Sequence, residues 1–535
     1  MIRQEIKTAV FNAVQSLARD KSISVDGFDL RVDAIAMDFS KDRSHGDYAS
    51  NVALQIAKAT GKNPKDLAGL VKMRIEDSVG KGFFEKIEVA GPGFINFYVS
   101  NKYFQKEVSR ILKEKEKFGS LDIGRKRKTQ VEFISANPSG QLHIGHGRGA
   151  FFGDVLARIL AKAGYKTEKE FYVNDARVSN QIQELGKTAM GRGETYLSPY
   201  LKNLIEKLAP RLSGMVSETE AGYYLAQAVL KDLKAFITDK LGIKFDYWIS
   251  EESLYKESLV IATYDILKKK NLVFEKDDAY WLRLSDFGEK DEVLLRKNGS
   301  PTYFLSDIAY HRYKIERGYQ KIIDVWGADH QGHIPRMKTV MQILSYKGEY
   351  QVLISQLVRL KGGKMSKREG NIVTLESLID EVGLDAGRFF YLVKSLDTQM
   401  EFDVDLAKEK SEKSPVFYAQ YAYARISSIL RKAKGNTLDS RSVLGSLVYS
   451  SEIELIKELL RLQEVVEDTA ADCQVQRLFQ YSLDVATSFH KFYGECRVIS
   501  EDKKLTAARL QLVRATKIVL KNTFDLMGIS APEKM

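Results

Sequence analysis

His143 and His146 bracket Ile144-Gly145, and 221 positions further on Lys364-Met365-Ser366-Lys367-Arg368 lies between Gly362-Gly363 and Gly370. Imidazole N–H groups and ammonium groups at these spacings suit phosphoryl chemistry. When a carboxylate attacks the α-phosphate of a nucleoside triphosphate, no covalent protein nucleophile is needed, only donors and cations placed around a pentavalent phosphorus. Residues three apart on a first helical turn share a face, so both rings can donate to phosphate. Gly145 between them leaves room for adenine against the backbone. Lys364 and Lys367, on a loop with glycine hinges, can close over pyrophosphate as charge develops, with Met365 and Ser366 as further contacts. The same residues admit other readings. The histidines could be a metal pair, although no third ligand is nearby, or core histidines, and the lysines could form a solvated basic turn.

These residues need elements to position them. Val131-Glu132-Phe133-Ile134 reads as a short strand that Pro138 and Gly140 end, and a helix is expected to begin near His146 and run from Gly147 to Gly164. A second strand follows at Glu168–Val173. This β-turn-α-β order opens a nucleotide-binding Rossmann half, with the ligand expected at the strand C-termini and the helix N-terminus. The second half resumes with the strand Ile322–Trp326, entering Gly327-Ala328-Asp329-His330. Between the halves, residues about 180–300 read as an inserted segment, helical and then β-rich.

Residues 1–118 read as an α+β unit that opens with an amphipathic helix over 1–20. Arg125-Lys126-Arg127-Lys128 reads as a solvated linker. From 405 to 535 apolar residues recur at three- and four-residue spacing, which predicts an all-α bundle. The expected architecture is an α/β Rossmann-type catalytic domain over 119–404 with an inserted α/β segment, between an N-terminal α+β domain and a C-terminal helical bundle.

Composition sets limits. An apolar content of 44% with 29% charged residues is that of a soluble globular protein. Lys+Arg number 82 against Asp+Glu 71, a net +11 that is compatible with a polyanionic partner. The two cysteines, Cys473 and Cys496, lack metal-site spacing, which argues against structural zinc or a disulfide framework and suits a cytoplasmic setting. No uncharged apolar run is long enough to suggest a membrane span.

The longer stretches around the motifs are specific. Val131-Glu132-Phe133-Ile134-Ser135-Ala136-Asn137-Pro138-Ser139-Gly140, Tyr172-Val173-Asn174-Asp175-Ala176, Gly46-Asp47-Tyr48-Ala49-Ser50-Asn51, Tyr418-Ala419-Gln420-Tyr421 and Phe489-His490-Lys491-Phe492-Tyr493 together resemble the arginyl-tRNA synthetases, members of the class I aminoacyl-tRNA synthetases. The resemblance implies ATP-dependent attachment of L-arginine to tRNA(Arg) through an arginyl-adenylate, with activation itself requiring bound tRNA. ATP would come with Mg2+, and no tightly bound metal or organic cofactor is implied.

By the same resemblance Tyr303 and Asp307 line the pocket for the arginine side chain, with Asp329 near it. Glu132 and Asn137 would meet the substrate's polar end, with His146 close by. A guanidinium calls for carboxylates in this way, since bidentate pairing is its strong mode. The N-terminal domain would hold the outer corner of tRNA, and the bundle its anticodon. Tyr418, Tyr421, Tyr423 and Arg425 are interleaved suitably for touching splayed bases, with Tyr418, Tyr421 and Arg425 the leading candidates. Neither DNA nor a membrane is an expected partner, and a monomer is the expected state.

After Asn174-Asp175-Ala176 the family usually continues with glycine, whereas here Arg177-Val178-Ser179 intervenes. Other readings are an inactive relative kept for RNA binding, against which the intact histidines and lysines argue, or a class I enzyme for cysteine or glutamate, against which the acidic pocket candidates argue.

Overall fold

The computed structural model describes residues 1–24, 31–40, 43–80, 82–361, 373–433 and 441–535. Five parallel strands form the sheet that positions the site, in the order Glu349–Ser355, Lys321–Gly327, Lys128–Glu132, Lys166–Val173, Tyr247–Ser250. The chain winds outward in one direction from Lys128–Glu132 and then, on its return, in the other. The winding therefore reverses between Lys128–Glu132 and Lys321–Gly327, which opens a crevice at their C-terminal ends.

The register across these strands puts Asp324 beside Glu132, and Glu132 beside Glu170. All three carboxylates are buried. Like charges side by side in a sheet repel, and one helix answers all three. From Tyr303–Glu316, Lys314 Nζ reaches Glu132 Oε2 at 2.6 Å and Asp324 Oδ1 at 2.7 Å. His311 Nε2 lies 2.9 Å from Asp324 Oδ2, while its Nδ1 faces the Asp307 carbonyl at 2.8 Å, so both ring nitrogens meet acceptors. Tyr310 donates to Glu170 Oε1 at 2.6 Å, and Arg317, the residue that ends the helix, pairs with the other Glu170 oxygen. With Lys314 and His311 as partners Asp324 stays ionised well below the usual carboxylate range, and these acids hold Lys314 charged despite full burial.

The expected insertion over about 180–300 needs correcting. It holds the helices Asn180–Ala189, Pro199–Leu212 and Glu218–Ala235, but Tyr247–Ser250 then returns to the main sheet as its edge strand. Only afterwards comes a separate three-stranded antiparallel sheet, Glu292–Leu295, Ala279–Leu282 and Val273–Lys276. A four-residue strand carries too little alternation to separate it from its helical surroundings. The basic run also differs from a plain linker, since Lys128 already belongs to the central strand and Arg127 donates to the Tyr165 hydroxyl at 2.9 Å.

The N-terminal unit packs Pro64–Ser78 on a four-stranded antiparallel sheet, with Ile2–Arg19 against that helix. It docks directly on the helical bundle. The Tyr48 hydroxyl donates to Glu464 at 2.6 Å, Lys457 pairs with Asp47, and Arg3 reaches Asp468. Gly46–Asn51 thus sits at a domain junction. No described helix is long and apolar enough to cross a membrane.

Removing the shared cation should leave two buried carboxylates uncompensated. Lys314→Met is expected to cost about 3–5 kcal/mol, read as a lower urea midpoint for the central domain.

Candidate active site

The histidine pair stands at a helix start, earlier than the expected His146. Helix Ile144–Lys162 begins one residue after His143, which is its N-cap. His143 Nδ1 accepts from the Gly145 amide at 3.0 Å, and His146 Nδ1 accepts from the His143 amide at 3.1 Å. This is a capping box built from imidazoles, with ring centroids 3.8 Å apart. It decides the tautomer. Both Nδ1 atoms accept, so each neutral ring carries its proton on Nε2. Burial, together with repulsion from His143, lowers the His146 pKa to about 4, and burial lowers that of His143. The pair therefore offers neutral N–H donors at a positive helix end, and not the charged groups that a cationic clamp would need. A Cβ on Gly145 would come within 2.8 Å of the His143 ring, so the cap requires glycine here.

The helix start is sewn to the chain that follows the lysine loop. The Ile144 amide donates to the Val373 carbonyl, the Leu375 amide to the Leu142 carbonyl, and the Tyr391 hydroxyl to the Ile144 carbonyl. Lys364, Met365, Ser366 and Lys367 themselves lie outside the described residues.

Directly after the central strand, Ile134 and Ser135 adopt φ of 69° and 40°, a costly backbone for a β-branched residue. The bend lets Ser135 Oγ donate back to Glu132 Oε1 at 2.8 Å. With Lys314 on its other oxygen, Glu132 is committed to internal partners. Asn137 stays exposed at the rim and accepts from the Asn174 amide group at 2.8 Å.

An acidic cluster lies beside this bend, where Asp307 feels the charges of Glu251 and Glu132. Tyr303 and Asp307 are one turn apart on the helix whose later residues neutralise the sheet. Among the described residues no cation is hydrogen-bonded to Asp307. Burial and the charges of Glu251 and Glu132 push its pKa up to about 8. Burial pushes Glu251, at the start of helix Glu251–Lys256, up to about 7. Glu251 Oε2 and the Tyr172 hydroxyl are buried without a hydrogen-bond partner among the described residues. Buried polar atoms without partners are rare enough to call for an explanation. Asp329 is apart from this group: its side chain is 82% exposed, and its charge is felt at His146.

In the bundle Tyr418, Tyr421 and Arg425 share one half-buried face of helix Pro415–Lys432. Arg425 donates to the Tyr421 hydroxyl at 2.7 Å and lies over the Tyr421 and Tyr493 rings. His490 packs against Tyr418 with centroids 5.0 Å apart. No group of three or more metal-ligating side chains occurs among the described residues.

Residues 2–99 match the family described as Arginyl tRNA synthetase N terminal domain, residues 107–180 and 217–403 the tRNA synthetases class I (R) catalytic domain, and residues 419–535 the DALR anticodon binding domain. The arginine–tRNA ligase of Bacillus licheniformis is 41% identical, with all of this chain and 98% of that one aligned. The chain belongs to the arginyl-tRNA synthetase family. It is a class I arginine–tRNA ligase that uses ATP to join arginine to tRNA for protein synthesis. The Bacillus subtilis ligase is 40% identical, again over all of this chain and 98% of its own. Among solved structures, an arginyl-tRNA synthetase of Campylobacter jejuni has a TM-score of 0.73 at 33% identity, covering 82% of this chain and 100% of that one. The Thermus thermophilus arginyl-tRNA synthetase has a TM-score of 0.78 at 22% identity over 100% of both chains, a likeness of fold.

Set within this family, the residues that reading the sequence missed are Glu251, Tyr172, His311 and Lys314. Glu251 looks like an ordinary helix-start acid, and Tyr172 like a core strand residue. Only their convergence with Asp307 singles them out.

A guanidinium bound between these acids would need both ionised, whereas burial pushes Glu251 up to about 7 and Asp307 up to about 8. Arginine binding at pH 7 is therefore expected to release protons, seen as a calorimetric enthalpy that varies with buffer ionisation heat. Affinity should rise with pH from about 6 to 8, as Asp307 and Glu251 lose the protons that compete with the ligand.

Proposed function

We propose that Asp307 and Glu251 grip the arginine guanidinium, with Tyr303 and Tyr172 beside them, and that His143 and His146 donate from Nε2 to ATP. The unpartnered Glu251 and Tyr172 oxygens within this carboxylate slot are the observation that carries the reading. Asn137, at the rim with Asn174, meets the α-amino and carboxylate end. Glu132 serves that end from behind, by holding the strained Ile134-Ser135 bend in place. Asp329 acts at the mouth, on the His146 side.

In this scheme an arginine carboxylate oxygen attacks the α-phosphorus in line, and the bond to the bridging oxygen of pyrophosphate breaks. The imidazole N–H groups, the positive end of helix Ile144–Lys162 and the ammonium groups of Lys364 and Lys367 stabilise the added negative charge. The terminal ribose hydroxyl of tRNA(Arg) then attacks the activated carbonyl, and AMP leaves. ATP enters as its magnesium complex. Mg2+ prefers phosphate oxygens and water to an all-protein cage.

Residues 1–118 and 405–535 are assigned to tRNA and 119–404 to catalysis, in a monomer working in the cytoplasm. Tyr418, Tyr421 and Arg425 present the stacking face for anticodon-loop bases.

His146→Gln is expected to lower kcat for aminoacylation about 100- to 1000-fold with little change in arginine KM, measured with saturating ATP. An unchanged kcat would remove His146 from the chemistry. Tyr421→Ala, by losing one stacking surface of about 1–3 kcal/mol, should raise the KM for tRNA about 10- to 100-fold and leave those for ATP and arginine alone. Filter-binding and steady-state kinetics check it.

A further inference from the structure

Glu251 and Glu252 stand side by side at the start of one helix, and the structure treats them oppositely. Glu251 keeps Oε2 free of any hydrogen-bond partner among the described residues. Glu252 is fully engaged. Arg177 Nη1 meets its Oε1 at 2.7 Å, and the Arg177 amide donates to its Oε2 at 2.9 Å. The other edge of the same guanidinium is directed at Glu220, with Nε 2.9 Å from Oε1. Its plane lies over the Tyr223 ring, 3.5 Å from the centroid. Glu220 and Tyr223 belong to helix Glu218–Ala235, so Arg177 joins that helix to Glu252.

The residues around Arg177 hold the same helix start. Asp175 accepts from Ser250 Oγ at 2.7 Å, from Gln227 Nε2 at 3.0 Å and from the Glu252 amide at 3.1 Å, which holds the helix start in place. Ser179 caps helix Asn180–Ala189, its Oγ accepting from the Ile182 amide at 3.2 Å.

We propose that Arg177 is a positioning residue for arginine selection: its own guanidinium occupies Glu252, so that Glu251 and Asp307 remain as the carboxylate pair open to the substrate. This rests on the reading of the slot as the arginine site. Without Arg177 the tie between helix Glu218–Ala235 and Glu252 is lost, so the helix start that carries Glu251 is no longer held for a guanidinium shared with Asp307. The task suits arginine in particular, because one planar fork satisfies two carboxylates on different elements while stacking on a ring. The single ammonium of lysine can do only part of this.

The test is aminoacylation by the full-length chain carrying Arg177→Met or Arg177→Lys, with arginine, ATP and tRNA(Arg) varied in turn and thermal unfolding followed alongside. The expected result for Arg177→Met is an arginine KM raised about 10- to 100-fold. The KM values for ATP and tRNA and the kcat should stay within about threefold, with Arg177→Lys in between. Millimolar methylguanidine should restore part of the arginine KM of Arg177→Met. An unchanged arginine KM overturns the proposal. So does a rise in all three KM values together with a lower unfolding midpoint, which would mark a purely structural role. Should Arg177→Met not fold, Arg177→Lys decides by the same split. Asp307→Asn separates the two levels: if it leaves arginine KM unaltered, the slot reading itself fails. If it raises KM while Arg177→Met does not, only the role of Arg177 fails.

Discussion

Three carboxylates in register across the sheet, Asp324, Glu132 and Glu170, can be buried together only because one helix brings their counter-charges. Lys314, His311, Tyr310 and Arg317 follow one another along a single face and close on the row from above. The consequence reaches beyond stability. Anchoring the helix at its C-terminal half fixes where its first turn lies, so Tyr303 and Asp307 are held beside Glu251. A buried ionic cluster is weak evidence for stability taken alone, since apolar residues could pack as well. Here it fixes where the acidic cluster around Asp307 lies relative to the ends of the parallel strands.

The two halves of the site use protonation in opposite ways. The imidazoles are kept neutral by burial and by their own caps, which turns Nε2 outward as a donor. In the slot, burial raises the acids toward neutrality, so that their full charge develops only against a cation. Neither half then carries a large uncompensated charge in the empty protein. Desolvation sets both, and it acts on acids and bases with opposite sign.

Much of this was legible in the residues. The helix over 1–20 is observed as Ile2–Arg19, and the paired histidines announced a strand-turn-helix that the structure contains. Tyr303 and Asp307 do share a helical face. The helical character after 405 follows from its apolar spacing, and helices Pro415–Lys432, Gln476–Glu495 and Lys503–Met527 bury that stripe. Tyr423, interleaved with the tyrosines chosen for RNA, turns out to be buried in the core. Aromatics three residues apart do not declare which face of a helix is wet. The helix start at His143 was hidden as well, because histidine is not a usual N-cap residue and its capping depends on a tautomer.

Local order in the chain therefore determined the elements and the kind of chemistry, because periodicity, turn residues and side-chain type are properties of neighbours. Tertiary structure alone decided which acids stay open. Glu132 and Glu251 are the same residue type, each near a strand end, yet Lys314 occupies the first from 182 positions away while the second keeps a free oxygen. Whether a carboxylate is a ligand or a structural counter-ion depends on which cation reaches it in space, and a linear order of residues does not hold that distance.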